Sequence, residues 1–377
     1  MGHFQKNRLA VRLFSGLMKF SAWLQDIPNK VTPPPFRLLQ IGSAFWQSRV
    51  LCAAAHLDIA TVLADQTLTA DETAARVSAH PDATYRLLRM LAAMGVFEES
   101  APRCFRNNKL SACLRADNPR NVRAMILMHN SEAMSRPWYE QFEHGVQSGA
   151  APFKLAHGEE LFAYMDSHAE FDALFAKAMD SVEALTGDSF ATDFDWGRFE
   201  RVIDIGGSKG AKSLAILKQH PYLQALVVDR DQVIRDAGRS WQGREDDALL
   251  ARLNFQAGDL LASVPAARSD KDIYLLSAVL HGFDDDTCIR ALKNLAAASA
   301  GTGARIALLE LVLDEWHPGL AGASFDLQMF MGTRGRERTL REWRTLFDRS
   351  GLALEELVSL RSFGKILVLK AITESYG

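Results

Sequence analysis

Cysteine is scarce in this chain and follows no pattern. Among 377 residues there are four, Cys52, Cys104, Cys113 and Cys288, with no Cys-x-x-Cys pair and no metal-ligand spacing. That excludes a disulfide framework and a structural zinc, and predicts reduced thiols in a cytoplasmic protein. An excess of one charge is missing as well. Lys and Arg number 43 against 46 Asp and Glu, a formal net charge of -3, so no global field favours nucleic acid or an anionic membrane as the main partner. The N-terminal stretch HFQKNRLAVRLFSGLMKFSAWLQ lacks an unbroken apolar run, because Lys6, Arg8, Arg12 and Lys19 interrupt it. It therefore reads as neither a signal-peptide core nor a membrane span. A membrane-surface helix is one reading of such a segment and an arm packed on a partner subunit is the commoner one; the second is expected here, with no membrane partner.

What is present is enough chain for two or three domains. The triplet in VTPPPF ends the first helical stretch, since consecutive prolines cannot continue it. Residues 38–99 read as short helices: Thr69 and Glu72 have the spacing of a capping box, Pro81 opens a helix and Gly95 stops it. With GVFEES and RCFRNN as a wing, this is the outline of a winged helix-turn-helix. Arg86 and Arg89 are too sparse a basic footprint for duplex DNA, and Leu87, Leu88, Leu91 and Met94 form an apolar face that must pack, so dimerisation is expected and nucleic acid is not. Between residues 122 and 191 the sequence is helical and rich in Met and aromatics, mostly core, with a few such as Phe175 and Met179 lining a pocket for a flat apolar ligand. GVQSGAAPFKLAHG within it reads as an exposed excursion or lid.

From Arg201 strands alternate with helices: RVIDI, QALVVD, LNFQAGD, DIYLLSAVLH and ARIALLELVL are strand-like, and LEELVSL and KILVLKAI close the chain with only RSFG between them. Alternation predicts a mostly parallel sheet with helices on both faces, and the short last connection predicts a hairpin with one antiparallel strand. The turn after the first strand reads Asp204-x-Gly206-x-Ser208-x-Gly210, which departs from the full dinucleotide fingerprint. A dehydrogenase is the weaker reading.

Taken in order, RVIDIGGSKG, LVVDRDQVIRDAG, FQAGDLLASVP, IYLLSAVLHGFDDDTCIRALKNL, LLELVL and GRERTLREW resemble the S-adenosylmethionine-dependent small-molecule O-methyltransferases of the caffeate and polyketide type. The segment from Leu57 to Glu99 resembles that family's dimerisation domain. The resemblance implies an α/β doubly wound Rossmann-like methyltransferase sheet with an antiparallel last strand, preceded by an all-helical winged-helix dimerisation domain. The expected divisions are an N-terminal arm (1–34), the dimerisation domain (35–120), a helical linker and substrate-pocket region (121–195) and a catalytic domain (196–377). S-adenosyl-L-methionine is the expected cofactor and a homodimer the expected assembly.

Site residues are expected at the carboxyl ends of the strands, where open α/β sheets bind ligands. Asp204, Gly206, Gly207 and Gly210 would let backbone amides approach the cofactor's carboxylate, and Asp229, with Arg230 beside it, would take the ribose hydroxyls. Gly258, Asp259, Leu260 and Ser277 would line the adenine. His281, with a pKa near neutrality, is the natural base for a phenol, and Glu310 or Glu337 would orient it. The resemblance assigns the same three roles: LHGF stands where the family has LHDW, Glu310 and Glu337 occupy its orienting acids, and Met179 and Met329 match positions that clamp the acceptor ring. Ser208, Lys209 and Ser277 depart from the family pattern, and a relative that keeps the cofactor for a non-methylating reaction is the alternative they leave open.

Overall fold

The computed structural model describes residues 3–317 and 319–372. The first two residues of the expected arm, residue 318 and the last five residues of the expected catalytic domain lie outside them. The chain divides into two compact units, one of residues 19–187 and one of residues 1–18 with 188–377.

The helix His3–Val31 ends just before the proline triplet, and a new helix, Pro34–Gly42, takes two of the prolines in its first turn. An absent N–H costs nothing there, so the triplet breaks one helix and starts the next. In the unit of residues 19–187, helices Ala44–His56, Ile59–Leu63, Ala70–Arg76 and Pro81–Ala93 close on Ile59, Leu63, Leu88, Leu91, Phe97 and Phe105. The expected capping box forms: Thr69 Oγ1 accepts the Glu72 N–H, and the Glu72 carboxylate accepts the Thr69 N–H. The wing is a three-stranded antiparallel sheet of β1 (Leu68–Thr69), β2 (Phe97–Ala101) and β3 (Cys104–Asn107), in the order β1-β3-β2. Of the exposed excursion or lid expected at GVQSGAAPFKLAHG, only Val146, Gln147, Ser148 and Gly149 form an exposed run. Two short helices, Phe142–Ser148 and Pro152–His157, run through it, with Pro152 and Phe153 buried. Gly145 lies so close to Pro152 that an added Cβ would fall 2.6 Å from its Cγ. Composition suggested exposure, but the small residues serve close helix packing.

The second unit is built on an eight-stranded sheet. Its strands are β4 (Arg201–Ile205), β5 (Gln224–Asp229), β6 (Leu253–Ala257), β7 (Asp272–Ser277), β8 (Arg305–Leu313), β9 (Arg338–Thr339), β10 (Leu352–Ser359) and β11 (Gly364–Ala371). The order is β10-β11-β8-β7-β4-β5-β6, with β9 pairing at the end of β8. β11 alone runs against the rest, and it forms the expected hairpin with β10. The central strands β4, β7, β8 and β11 are nearly continuous apolar runs because both faces are covered. Successive residues alternate between faces. Ile203, Leu276, Ile306 and Leu308 join Trp343 and Phe347 on one side, while Val202, Leu275 and Ala307 join Trp196, Leu214 and Ile216 on the other. The order of the chain reverses between β4 and β7, which opens a crevice at their carboxyl ends.

Candidate active site

The turn after β4 is shaped by close approach. Gly206 and Gly210 have φ of +73° and +78°, and an added Cβ would meet Val279 Cγ2 at 2.8 Å and Val227 Cγ2 at 2.9 Å. Gly207 sits over Asp204, whose carboxyl carbon a Cβ would approach to 2.6 Å. Asp204 is buried beneath the turn, with Oδ2 accepting from Ser213 Oγ at 2.7 Å. Ser208 has a left-handed φ of 52°, a conformation that costs a non-glycine residue roughly 1–2 kcal/mol. Asp229 at the end of β5 holds it there: Oδ2 accepts the Ser208 N–H at 2.8 Å and Oδ1 the Arg230 N–H at 2.7 Å. The helix Ala211–Gln219 starts directly after the turn, so its unpaired N-terminal amides face the crevice.

Arg230 is exposed and precedes the helix Asp231–Ala237, so its backbone takes part and its side chain points to solvent. Gly258 donates its N–H to the Asp229 carbonyl at 2.9 Å, tying the segment after β6 to the end of β5. Asp259 Oδ1 accepts the Leu261 N–H, and Leu260 packs on the adjoining core. Ser277 is the last residue of β7 and pairs with Leu309.

His281 was expected at the end of β7, but the strand stops at Ser277 and His281 lies in a single 3₁₀ turn, Leu280–Gly282. Ala278, at φ 53°, turns the chain into it. His281 Nδ1 donates to Glu337 Oε1 at 2.8 Å, which leaves Nε2 as the acceptor nitrogen. Glu337 is fully buried, and its own N–H donates to Asp326 Oδ1 at 2.9 Å. Glu310, inside β8 and also buried, bonds the backbone rather than the ring: its Oε1 accepts the N–H groups of Val279 and Leu280 at 3.2 and 3.0 Å. The three side chains nevertheless bring one polar atom each within 4.8 Å of one another. Burial pushes the Glu310 carboxyl up to about 7, against the pull of the His281 charge and with that of Glu337. For His281, burial opposes the imidazolium, but the Glu337 hydrogen bond and the Glu310 and Glu337 charges outweigh it, with Arg338 opposing, so its pKa is raised above the ordinary value.

Met329 is half-buried on the helix Leu320–Gly332, which also carries Asp326. Phe175 and Met179 lie on the helix Ala169–Thr186 of the other unit. Four supporting residues escaped the sequence reading: Trp241, whose Nε1 donates to the Lys209 carbonyl; Asp326; Gly335; and Arg338. Arg338 had a visible signal, since it follows Glu337 directly in GRERT.

The donor set fits a nucleoside cofactor with a carboxylate tail. The amides at the glycine turn suit the carboxylate, and each Asp229 oxygen, having taken one N–H, retains a lone pair for a ribose hydroxyl. Leu260 supplies an apolar surface and Asp259 a carboxylate beyond it. A crevice of this kind, with an oriented imidazole two residues past the valine that packs on its glycine turn, is the equipment of a group-transfer enzyme of the methyltransferase fold.

Comparison with known proteins agrees. Residues 139–353 match the O-methyltransferase domain and residues 39–117 the O-methyltransferase dimerisation domain. The chain is 33% identical over 325 residues to the phenazine O-methyltransferase PhzM of Lysobacter antibioticus, covering 86% of this chain and 93% of that one. It is 30% identical over 335 residues to the phenazine-1-carboxylate N-methyltransferase of Pseudomonas aeruginosa, covering 88% and 96%. Among solved structures, an O-methyltransferase of neocarzinostatin biosynthesis, bound to S-adenosylmethionine and 2-hydroxy-5-methyl naphthoic acid, superposes with a TM-score of 0.72 at 27% identity, covering 86% of this chain and 96% of that one. The chain belongs to the S-adenosylmethionine-dependent O-methyltransferase family, with a dimerisation domain of the kind that family carries. No helix among the described residues is long and apolar enough to cross a membrane.

Proposed function

We propose that this enzyme transfers a methyl group to a hydroxyl of a small aromatic or polyketide-like molecule, with His281 as the general base. The observation that carries the reading is the 2.8 Å bond from His281 Nδ1 to the buried Glu337, which fixes one tautomer and leaves Nε2 free to take a proton. When bound, S-adenosylmethionine supplies an activated methyl group on a sulfonium. The chain then has to hold the cofactor, orient the acceptor and deprotonate it. Gly206, Gly207, Gly210 and Asp229 hold the carboxylate and ribose ends, and Gly258, Asp259, Leu260 and Ser277 receive the base. Glu337 stabilises the imidazolium that forms on His281, and Glu310 holds the turn beneath it. Met179 and Met329 are the residues assigned to the acceptor ring, with Phe175 as a further acceptor contact. The aromatic acceptors in the names of the relatives support this class, and the N-methyltransferase among them shows that the family scaffold also serves nitrogen. In this reading residues 1–34 are the arm, 35–120 the dimerisation region, 121–195 the acceptor-pocket region and 196–377 the cofactor domain of a cytoplasmic enzyme.

The test is methyl transfer from isotopically labelled S-adenosylmethionine to a panel of phenols, hydroxyphenazines and hydroxyquinones, read by mass spectrometry. Methyl ethers are expected. Methylation confined to ring nitrogens, or cofactor binding with a product that gains no label, would overturn the hydroxyl reading.

The assembly follows from the first helix. Leu13, Leu17, Phe20, Leu24, Ile27 and Val31 recur at alternating steps of four and three residues, and all are exposed. That is the seam of a helix awaiting another helix. An isologous homodimer with the arm crossing between subunits covers it. Sedimentation should give a dimer at micromolar concentration, with removal of residues 1–34 weakening association. A fully active monomer at that concentration would rule the arrangement out.

A further inference from the structure

The turn that carries His281 is poorly held by its own bonds. Gly282 donates to the Val279 carbonyl at 3.4 Å, which is long, and Phe283 to that of Leu280 at 3.2 Å, the upper end of the ordinary range, and the turn is entered through the left-handed Ala278. A three-residue 3₁₀ helix of this quality is a weak platform for a base. Its rigidity has to come from outside.

From one side it comes through the amides. Glu310 Oε1 takes both Val279 and Leu280 N–H groups. From the other side it comes through the carbonyls: Arg338 Nη1 donates to Leu280 O at 3.3 Å and Nη2 to Phe283 O at 2.9 Å, while Nε and Nη2 bond Asp285 Oδ1 at 3.0 and 2.8 Å. The guanidinium is completely buried and lies 5.2 Å from the Trp343 ring centre. Gly335 closes the remaining side, for an added Cβ would stand 1.9 Å from the His281 carbonyl oxygen. Burying a guanidinium against a single carboxylate, itself about half exposed, is costly unless the arrangement does something else. Here the fork geometry spans the two carbonyls that bracket His281.

We propose that Arg338 is the positioning residue of this site, clamping the His281 turn by its carbonyls while Glu310 clamps it by its amides. The proposal rests on the reading of His281 as the base. Arg338 acts through the turn and touches neither cofactor nor acceptor. Its charge has a second effect. The groups that face His281 are Glu337 before β9, Glu310 from β8 and Arg338, with Asp285 on the far side of the guanidinium. The two glutamates favour the imidazolium and Arg338 disfavours it, so Arg338 keeps His281 available as a proton acceptor.

The experiment uses the full-length protein saturated with S-adenosylhomocysteine, so that no acceptor is needed. Hydrogen exchange of the peptide spanning Ala278–Phe283 reports the turn, and a histidine NMR titration reports the imidazole, its resonance assigned by its loss in His281→Gln. Arg338→Lys keeps the charge and loses the fork: exchange in that peptide should speed up at least tenfold, with peptides of β4 and β5 unchanged and the His281 pKa little moved. Arg338→Met loses both and should also raise the His281 pKa, whereas Glu337→Gln should lower it. Turnover on any phenol that the wild type methylates should fall about a hundredfold in Arg338→Lys at unchanged cofactor KM, the size expected of a misplaced catalytic group. If Arg338→Met does not fold, Asp285→Asn loosens the same anchor from its half-exposed end and should show the exchange effect in smaller measure. Wild-type exchange in Arg338→Lys and Asp285→Asn overturns the clamp. Normal turnover in His281→Gln overturns the base reading instead, whatever the turn does.

Discussion

Replacing His281 by Gln is expected to lower the single-turnover rate of methyl transfer by about two to four orders of magnitude, because positioned general-base catalysis contributes that much. Affinity for S-adenosylhomocysteine should change little, since no hydrogen bond of His281 reaches the glycine turn or Asp229. The loss should shrink along a series of acceptors with increasingly acidic hydroxyls, which ionise without help. The pH profile carries an independent sign. The base must be neutral to accept a proton, so the rate falls as pH drops through the His281 pKa, and the raised value puts this limb above 6.5. Glu337→Gln removes the charge that raises it and leaves only a neutral amide oxygen to accept from Nδ1, and should move the limb to lower pH with a smaller loss in rate. Single-turnover kinetics on substituted phenols measures both. A His281→Gln enzyme with near-normal rates on the least acidic phenol would sink the assignment.

Asp229→Ala should abolish most of the stabilisation that S-adenosylhomocysteine gives to the wild type. A ligand at a hundred times its dissociation constant stabilises the native state by about 2.7 kcal/mol, which is a readily measured rise in Tm. The expected loss is large because two functions depend on one carboxylate. In the proposed site it takes the ribose hydroxyls, and it also holds the Ser208 amide, without which a serine has no reason to stay at φ 52°. Asp229→Asn keeps one acceptor oxygen and should fall between. Differential scanning fluorimetry with and without the ligand decides it, and an unchanged shift in Asp229→Ala removes Asp229 from the site.

Several parts of this structure were legible because they are local. Thr69 with Glu72 forms the reciprocal cap its spacing demands. RSFG was too short for a crossover, so β10 and β11 had to pair antiparallel. The glycine turn after β4, Asp229 at the end of β5 and Glu310 within β8 were readable because a strand's end and its apolar run are visible in the chain itself.

The remainder depended on what approaches from elsewhere in the sequence. GVQSGAAPFKLAHG has the composition of a lid, yet Gly145 is small because Pro152 lies against it. Glu310 and Glu337 look equivalent as acids near a histidine, but one bonds the ring and the other the backbone beneath it. Gly335 and Arg338 lie more than fifty positions after His281 and close on its turn only because β9 pairs beside the end of β8. The sequence by itself determined the strands and turns on which the proposed cofactor site is built, since secondary-structure period and turn chemistry act over a few residues. The tertiary structure decided which acid bonds the His281 ring and what packs against its turn, because those contacts come from packing between segments that no local pattern links.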